Sequence, residues 1–280
     1  MSRAIGNFTD NEDNMKRKVE VKHILVAPDI HIPWEDEKTL WAFEKYMASR
    51  KWDEVIQLGD LLDLGCISHW NDGKAKTMAE QSQFEDDLGM AELLLDRWLK
   101  ILRAKNPDAK FTYIEGNHEY WAKMAVEKSP SLEKTFNIPL RLRLKERGVT
   151  WVPFWTDHRN VTRRGKANFI HGEYVNDAHA KKTVLQYGCN IYYGHTHDVQ
   201  EHSIVHRGDD STLVGKSLGT LSRYDMPYTK GKPNKWQQAF SHFTIYPDGM
   251  YTEHTIRVFK HRFEAEGVVY DGENKTVTKV

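Results

Sequence analysis

Five short apolar segments of this sequence end in residues that can hold a cation or carry a proton. His23–Ala27 is followed by Asp29-Ile-His31, and Glu54–Leu58 by Gly59-Asp60-Leu-Leu-Asp63. Phe111–Ile114 leads to Gly116-Asn117-His118-Glu119, Asn168–His171 ends in His171-Gly172, and Asn190–Tyr193 leads to Gly194-His195-Thr-His197. Imidazole and carboxylate are common ligands of zinc, manganese and iron. No cysteine stands among them, which argues against a purely structural zinc site. A single Asp-x-His or His-x-His after a strand is ordinarily a turn. Five such endings together are not explained as loops. They offer more donors than one ion uses, whereas two ions roughly 3.5–4 Å apart would use them, the arrangement that suits in-line displacement at phosphorus.

These residues need a scaffold that brings strand ends together. Apolar runs at His23–Ala27, Glu54–Leu58 and Phe111–Ile114 read as buried strands. Between them, Glu35–Arg50 places Leu40, Phe43, Tyr46 and Met47 on one helical face, and Met78–Lys105 repeats Phe84, Leu88, Ala91, Leu95, Trp98 and Leu102 before Asn106-Pro107 stops it. Strand–helix–strand–helix–strand implies a parallel sheet with crossover helices, and ligands of such sheets bind beyond the carboxyl ends of the strands. The second half reads as a helix at Asp177–Tyr187 among strands at Thr150–Phe154, Asn168–His171, Asn190–Tyr193, Gln200–Val205, Thr212–Leu218, Ala239–Tyr246 and Tyr251–Val258. We expect a loose leader over residues 1–20, one α/β domain over 21–270 and a tail over 271–280. The stripe Phe84–Leu102 could pack across the sheet or serve as the seam of a homodimer.

Composition narrows the function classes. The chain has 280 residues, enough to bury a large core without disulfides or a structural metal. Its 40 basic and 40 acidic residues cancel, so no global field draws in nucleic acid or an anionic membrane. Two cysteines exclude a disulfide-rich scaffold. No apolar run is long enough to span a membrane, and Met1–Lys18 contains no apolar signal core, so the expected location is the cytoplasm.

The ordered series Asp-x-His, Gly-Asp-x-x-Asp, Gly-Asn-His-Glu, His and Gly-His-x-His, running from Asp29 to His197, resembles the calcineurin-like metallophosphoesterase superfamily, in its bacterial or phage type. The resemblance implies a four-layer α/β/β/α sandwich of two mixed β-sheets flanked by helices. It implies one metal ion on Asp29, His31 and His197, a second on Asn117, His171 and His195, and Asp60 bridging them. Manganese is the expected metal, with iron, zinc, nickel or cobalt also compatible with mixed nitrogen and oxygen donors. His118 matches the catalytic histidine that would protonate the leaving group, and Asp63 matches the position that orients it.

One feature departs from the protein-phosphatase branch: Leu64 and Gly65 follow Asp63 where those enzymes usually carry a phosphate-gripping arginine. Arg163, Arg164, Lys166, Arg223 and the loop holding Lys74 and Lys76 are candidate substitutes, and Trp70 could stack a base beside those two lysines. Tyr120 and Trp121 could stack in the same way or simply pack their helix. The expected activity is therefore a phosphodiesterase or nuclease acting on nucleic acid or nucleotides. A phosphomonoesterase acting on a nucleotide, phosphoprotein or small metabolite is the alternative.

Overall fold

The first strand already displays the layers. In the computed structural model, which describes residues 20–68, 78–154, 161–206, 208, 211–226 and 229–280, strand β1 (Lys22–Ala27) sends Leu25 and Ala27 into one apolar cluster and Ile24 and Val26 into another. Successive side chains of a strand point to opposite faces, so each cluster covers one side of the same sheet.

Helix α1 (Glu37–Ser49), strand β2 (Glu54–Gln57), helix α2 (Met78–Lys105), strand β3 (Lys110–Ile114) and helix α3 (Asn117–Lys128) follow in order. Two single-turn helices, α4 (Glu133–Phe136) and α5 (Ile138–Arg141), lead to β4 (Val149–Val152), β5 (Thr162–Arg164) and β6 (Ala167–Phe169). Helix α6 (His179–Tyr187) precedes β7 (Ile191–Tyr193), β8 (Glu201–His206), β9 (Ser211–Ser217), β10 (Ala239–Ile245) and β11 (Tyr251–Arg257). Strands β12 (Arg262–Ala265), β13 (Val268–Asp271) and β14 (Thr276–Lys279) complete the chain.

Six strands form the first sheet, in the order β11-β10-β1-β2-β3-β4, with β1 to β4 parallel and the β10–β11 hairpin added antiparallel beside β1. Five form the second, β5-β6-β7-β9-β8, whose central β6-β7-β9 core is parallel. Phe169, Tyr192 and Leu218 of the second sheet meet Ile24, Ile56 and Phe243 of the first, so the two sheets pack face to face. On the far side of the first sheet lie Phe43 of α1 with Leu95 and Trp98 of α2, and Val184 of α6 caps the second sheet against Ile191 and Tyr193. This is the expected helix–sheet–sheet–helix layering.

Helix α2 matches its expected limits, because Asn106-Pro107 ends it and its apolar stripe from Phe84 to Leu102 is buried in the chain's own core. That stripe is therefore core packing within the protomer. Residues 271–280 depart from the expected tail. Thr276–Lys279 form β14, which pairs with β13 in a third sheet, β12-β13-β14. That sheet covers α1, with Phe263 and Tyr270 stacked 5.1 Å apart and both within ring contact of Tyr46.

Candidate metal centre

The carboxyl ends of β1, β2 and β3 lie side by side, and main-chain hydrogen bonds knit together the loops after β1 and β2. The amides of Ile30 and His31 both donate to the Asp60 carbonyl at 2.9 Å, and the Ile32 amide donates to Leu61 at 2.8 Å. From the second sheet, the Gly194 amide donates to the His171 carbonyl at 2.8 Å. The chain turns sharply at these points, and His31, Asp60, Leu64, His195 and His197 all adopt left-handed backbone, with φ of 55°, 51°, 49°, 66° and 58°. Side-chain-bearing residues seldom do so, and each instance costs on the order of 1–3 kcal/mol. Four of these five are expected ligands, and strain of this kind clusters at functional sites.

Asp29, His31, Asp60 and His197 each offer an atom within 4.8 Å of the others, and Asp60, His171 and His195 form a second such group. Asp60 belongs to both. In the first group, His31 Nε2 lies 2.9 Å from His197 Nε2 and 3.6 Å from Asp60 Oδ2, and His197 Nε2 lies 3.3 Å from Asp29 Oδ1. In the second, His171 Nε2 lies 3.3 Å from Asp60 Oδ2 and 2.9 Å from Asn117 Oδ1.

The other nitrogens of these rings reveal what the convergence means. His171 Nδ1 donates to the Leu58 carbonyl at 2.8 Å, and His31 Nδ1 donates to Asp63 Oδ1 at 3.1 Å. With Nδ1 protonated, a neutral imidazole presents a lone pair at Nε2. In each group one imidazole thus turns Nε2 toward carboxylate oxygens, an arrangement that calls for positive charge between them. Burial opposes charge on His171, yet the adjoining Asp60 carboxylate outweighs it and lifts the imidazole to a pKa of about 9. His195 behaves oppositely: burial and the neighbouring His171 push it down to about 4, so it stays neutral. Imidazoles, two buried carboxylates and one carboxamide oxygen make a donor set that fits divalent transition cations, which would take the place of the proton that Asp60 draws onto His171.

Around this set lies a buried scaffold of further carboxylates. Glu119 is fully buried and accepts from the amides of Asp60, Leu62 and Gly116 and from the Tyr113 hydroxyl, at 3.0, 2.9, 2.9 and 2.7 Å. As the third residue of α3 it reaches back to the Gly116 amide, the glutamate half of a capping box whose glycine cap has no side chain to reciprocate. Asp29 receives the His195 amide on both oxygens, at 2.9 and 3.0 Å. Asp198, after His197, accepts from the Thr196 and Ser217 hydroxyls and contacts His179 Nε2 at 3.1 Å, bracing the Gly194–His197 turn from behind.

His118 stands beside both groups. Its Nδ1 donates to the Asp63 main-chain carbonyl at 2.5 Å, leaving Nε2 on the cavity side, 3.9 Å from Asp60 Oδ2. The expectation that the Asp63 carboxylate orients His118 needs correcting. That carboxylate is 3.7 Å from His118 Nδ1, beyond hydrogen-bond range, and is taken by His31 instead. The Asp63 carbonyl, not its side chain, holds His118, just before the left-handed Leu64.

A cavity of about 490 Å³ opens over these residues, with Trp121 and Trp236 among its walls. Arg223 does not line it; the guanidinium grips Asp225 at 2.9 and 2.7 Å. Trp70 and Lys74 lie outside the described residues. No described helix is long and apolar enough to cross a membrane.

A profile of the calcineurin-like phosphoesterases matches residues 22–270. The Gene 54 proteins of Mycobacterium phages L5 and D29 are 25% and 26% identical over 264 residues, covering 89% of this chain and 99% of theirs. Vacuolar Protein Sorting 29 from Cryptosporidium parvum superposes with a TM-score of 0.45 at 12% identity, covering 93% of this chain and 98% of its own. Vps29 from Entamoeba histolytica, solved with zinc, gives a TM-score of 0.42 at 13% identity, covering 92% and 98%. On the strength of the profile, which runs from β1 through β13, the chain belongs to the calcineurin-like phosphoesterases.

Proposed function

We propose that the protein is a hydrolase working with two divalent cations and that it cleaves phosphodiesters of nucleic acids or nucleotides. The observation that supports this is the pair of donor clusters sharing Asp60, in which His31 and His171 have Nδ1 held by Asp63 and Leu58 and turn Nε2 toward the carboxylates. Asp29, His31 and His197 would hold one cation, Asn117, His171 and His195 the other, with Asp60 between. Manganese is our first candidate among the cations that such donors accept. When bound, the pair would supply Lewis acidity and a water-derived nucleophile near neutral pH.

The remaining steps belong to side chains. Hydrogen-bonded through Nδ1 to the Asp63 carbonyl, His118 offers Nε2 to the cavity, from which a protonated ring can donate to the leaving oxygen. Asp63 fixes the tautomer of His31, and Glu119 locks the Asp60 loop to the start of α3. A diester is favoured over a monoester on charge. No lysine or arginine is among the described residues lining the cavity, and a phosphomonoester carries about −1.5 to −2 charge near neutral pH, which would call for additional cationic grip.

Metal analysis of the purified protein should give about two ions per chain. The manganese-loaded protein should hydrolyse bis-p-nitrophenyl phosphate faster than p-nitrophenyl phosphate. Hydrolysis surviving verified metal removal would overturn the metal dependence, and preference for the monoester would overturn the substrate class.

A further inference from the structure

Five aromatic rings run in an unbroken row along the cavity. Trp121 lies on His118 with centroids 4.0 Å apart, His118 meets His31 at 4.6 Å, His31 meets His197 at 4.8 Å, and His197 meets Trp236 at 4.4 Å. The three imidazoles belong to the candidate centre. The indoles at the two ends present no ligating atom and no titratable proton.

Trp236 stands at a boundary. It lines the main cavity and also a neighbouring one of about 370 Å³, which shares His195 and is walled by Val175, Asp177 and Lys235. That volume falls within the usual size of a small-ligand pocket. Its main chain is held on both sides: the Trp236 amide donates to Asn234 Oδ1 at 3.2 Å, and the Gln237 amide donates to the His197 carbonyl at 2.7 Å. Beside it, Lys235 pairs with Asp177 at 2.7 Å, both side chains being largely exposed. Such a surface pair is worth little and is readily exchanged for another anion. An aromatic face next to an exchangeable ammonium is the combination that holds single-stranded nucleic acid, the ring taking a base and the cation a backbone phosphate.

We infer that Lys235 and Trp236 form a nucleotide subsite beside the candidate centre, with the base stacked on the indole and the adjoining phosphate on the lysine. The subsite lies across the row from His118, so it receives the nucleotide on the side of the scissile phosphate away from the leaving oxygen. This rests on the phosphodiesterase reading above, and it adds the substrate class, a single-stranded oligonucleotide.

The test uses the manganese-loaded full chain, a thymidine octanucleotide, and an octanucleotide of the same backbone with abasic positions. The wild-type protein should show a KM about ten- to a hundredfold lower for the thymidine oligomer, the usual worth of a stacked base. Trp236→Leu should collapse that ratio toward one, and Trp236→Phe should keep most of it. Lys235→Ala, a surface change that does not threaten folding, should lower the slope of log affinity against log salt by about one. Equal KM for the two oligomers in the wild type, or a ratio unmoved by Trp236→Leu, would overturn the subsite. Should no diester be hydrolysed at all, the phosphodiesterase reading fails separately. The same ratio measured by fluorescence anisotropy of labelled oligomers would then still decide the subsite.

Discussion

A single added carbon at Gly194 provides a demanding test of the geometry. A Cβ there would lie 1.9 Å from Asp29 Oδ2. Ordinary carbon–oxygen contacts begin near 3.3 Å, so the carboxylate must retreat by about 1.4 Å. It has nowhere to go without breaking its bonds to the His195 amide, because Asp29 is fully buried. The same movement takes Oδ1 away from His197 Nε2, now 3.3 Å distant. Misplacement of about 1 Å in a reacting constellation costs about a hundredfold, and overpacking costs about 1–3 kcal/mol of stability. Gly194→Ala should therefore lose about two orders of magnitude in hydrolysis of bis-p-nitrophenyl phosphate and bind manganese measurably more weakly by titration calorimetry. Gly89→Ala is the matched control. It adds the same carbon within α2, where nothing lies within 4 Å, and should raise stability in urea by about 0.5–1 kcal/mol. Wild-type manganese affinity and turnover in Gly194→Ala would refute the placement of Asp29.

Three further outcomes are expected. His118→Ala should keep both ions while lowering turnover by about 10²- to 10⁴-fold on esters with poor leaving groups, and much less on p-nitrophenyl esters; a loss independent of leaving-group pKa would remove His118 from the role of proton donor. Asp63→Asn should weaken manganese binding by about ten- to a hundredfold, as changes to a ligand's hydrogen-bond partner do, because its carboxylate holds His31; a calorimetric affinity equal to wild type would contradict that. His242, remote from the centre and packed against Tyr46, Trp52 and His23, is pushed by burial, with help from Arg50, to a pKa of about 3 from its ordinary 6.5. The unfolded chain thus takes up this proton first, so stability present above pH 6.5 should fall by about 2 kcal/mol by pH 5, and a urea-unfolding series in which His242→Gln shows the same fall would rule this histidine out as the cause.

The candidate centre was unusually legible because its residues are local. Each motif sits at the end of one apolar strand, and strand ends are easily read when Gly59, Gly116 and Gly194 mark the exits. What escaped was everything assembled from a distance. Trp236 reaches the cavity through pairing of its neighbour Gln237 with His197, and no spacing in the sequence records that contact. Asp63 holds His118 through its carbonyl while its carboxylate goes to His31, a division of partners just before the left-handed Leu64, a conformation that a leucine does not advertise. Strand β14 escaped for another reason. All its side chains are exposed, so main-chain pairing with β13 forms it without the alternation that would mark a strand.

The placement of β10 governs when the centre can exist during synthesis. All the candidate ligands lie between Asp29 and His197, but β1, which delivers the first of them, is flanked by β2 on one side and by β10 on the other. The Asp29 carbonyl itself accepts from the Leu221 amide and the Thr220 hydroxyl. A ribosome that has just added His197 still has about 48 residues to go before β10 ends at Ile245, a delay of about 2–10 s at ordinary translation rates. Throughout that interval the nascent chain carries the whole set of imidazoles and carboxylates without the strand that closes the sheet beside them. A fragment ending at His197 would own the ligands and lack the centre.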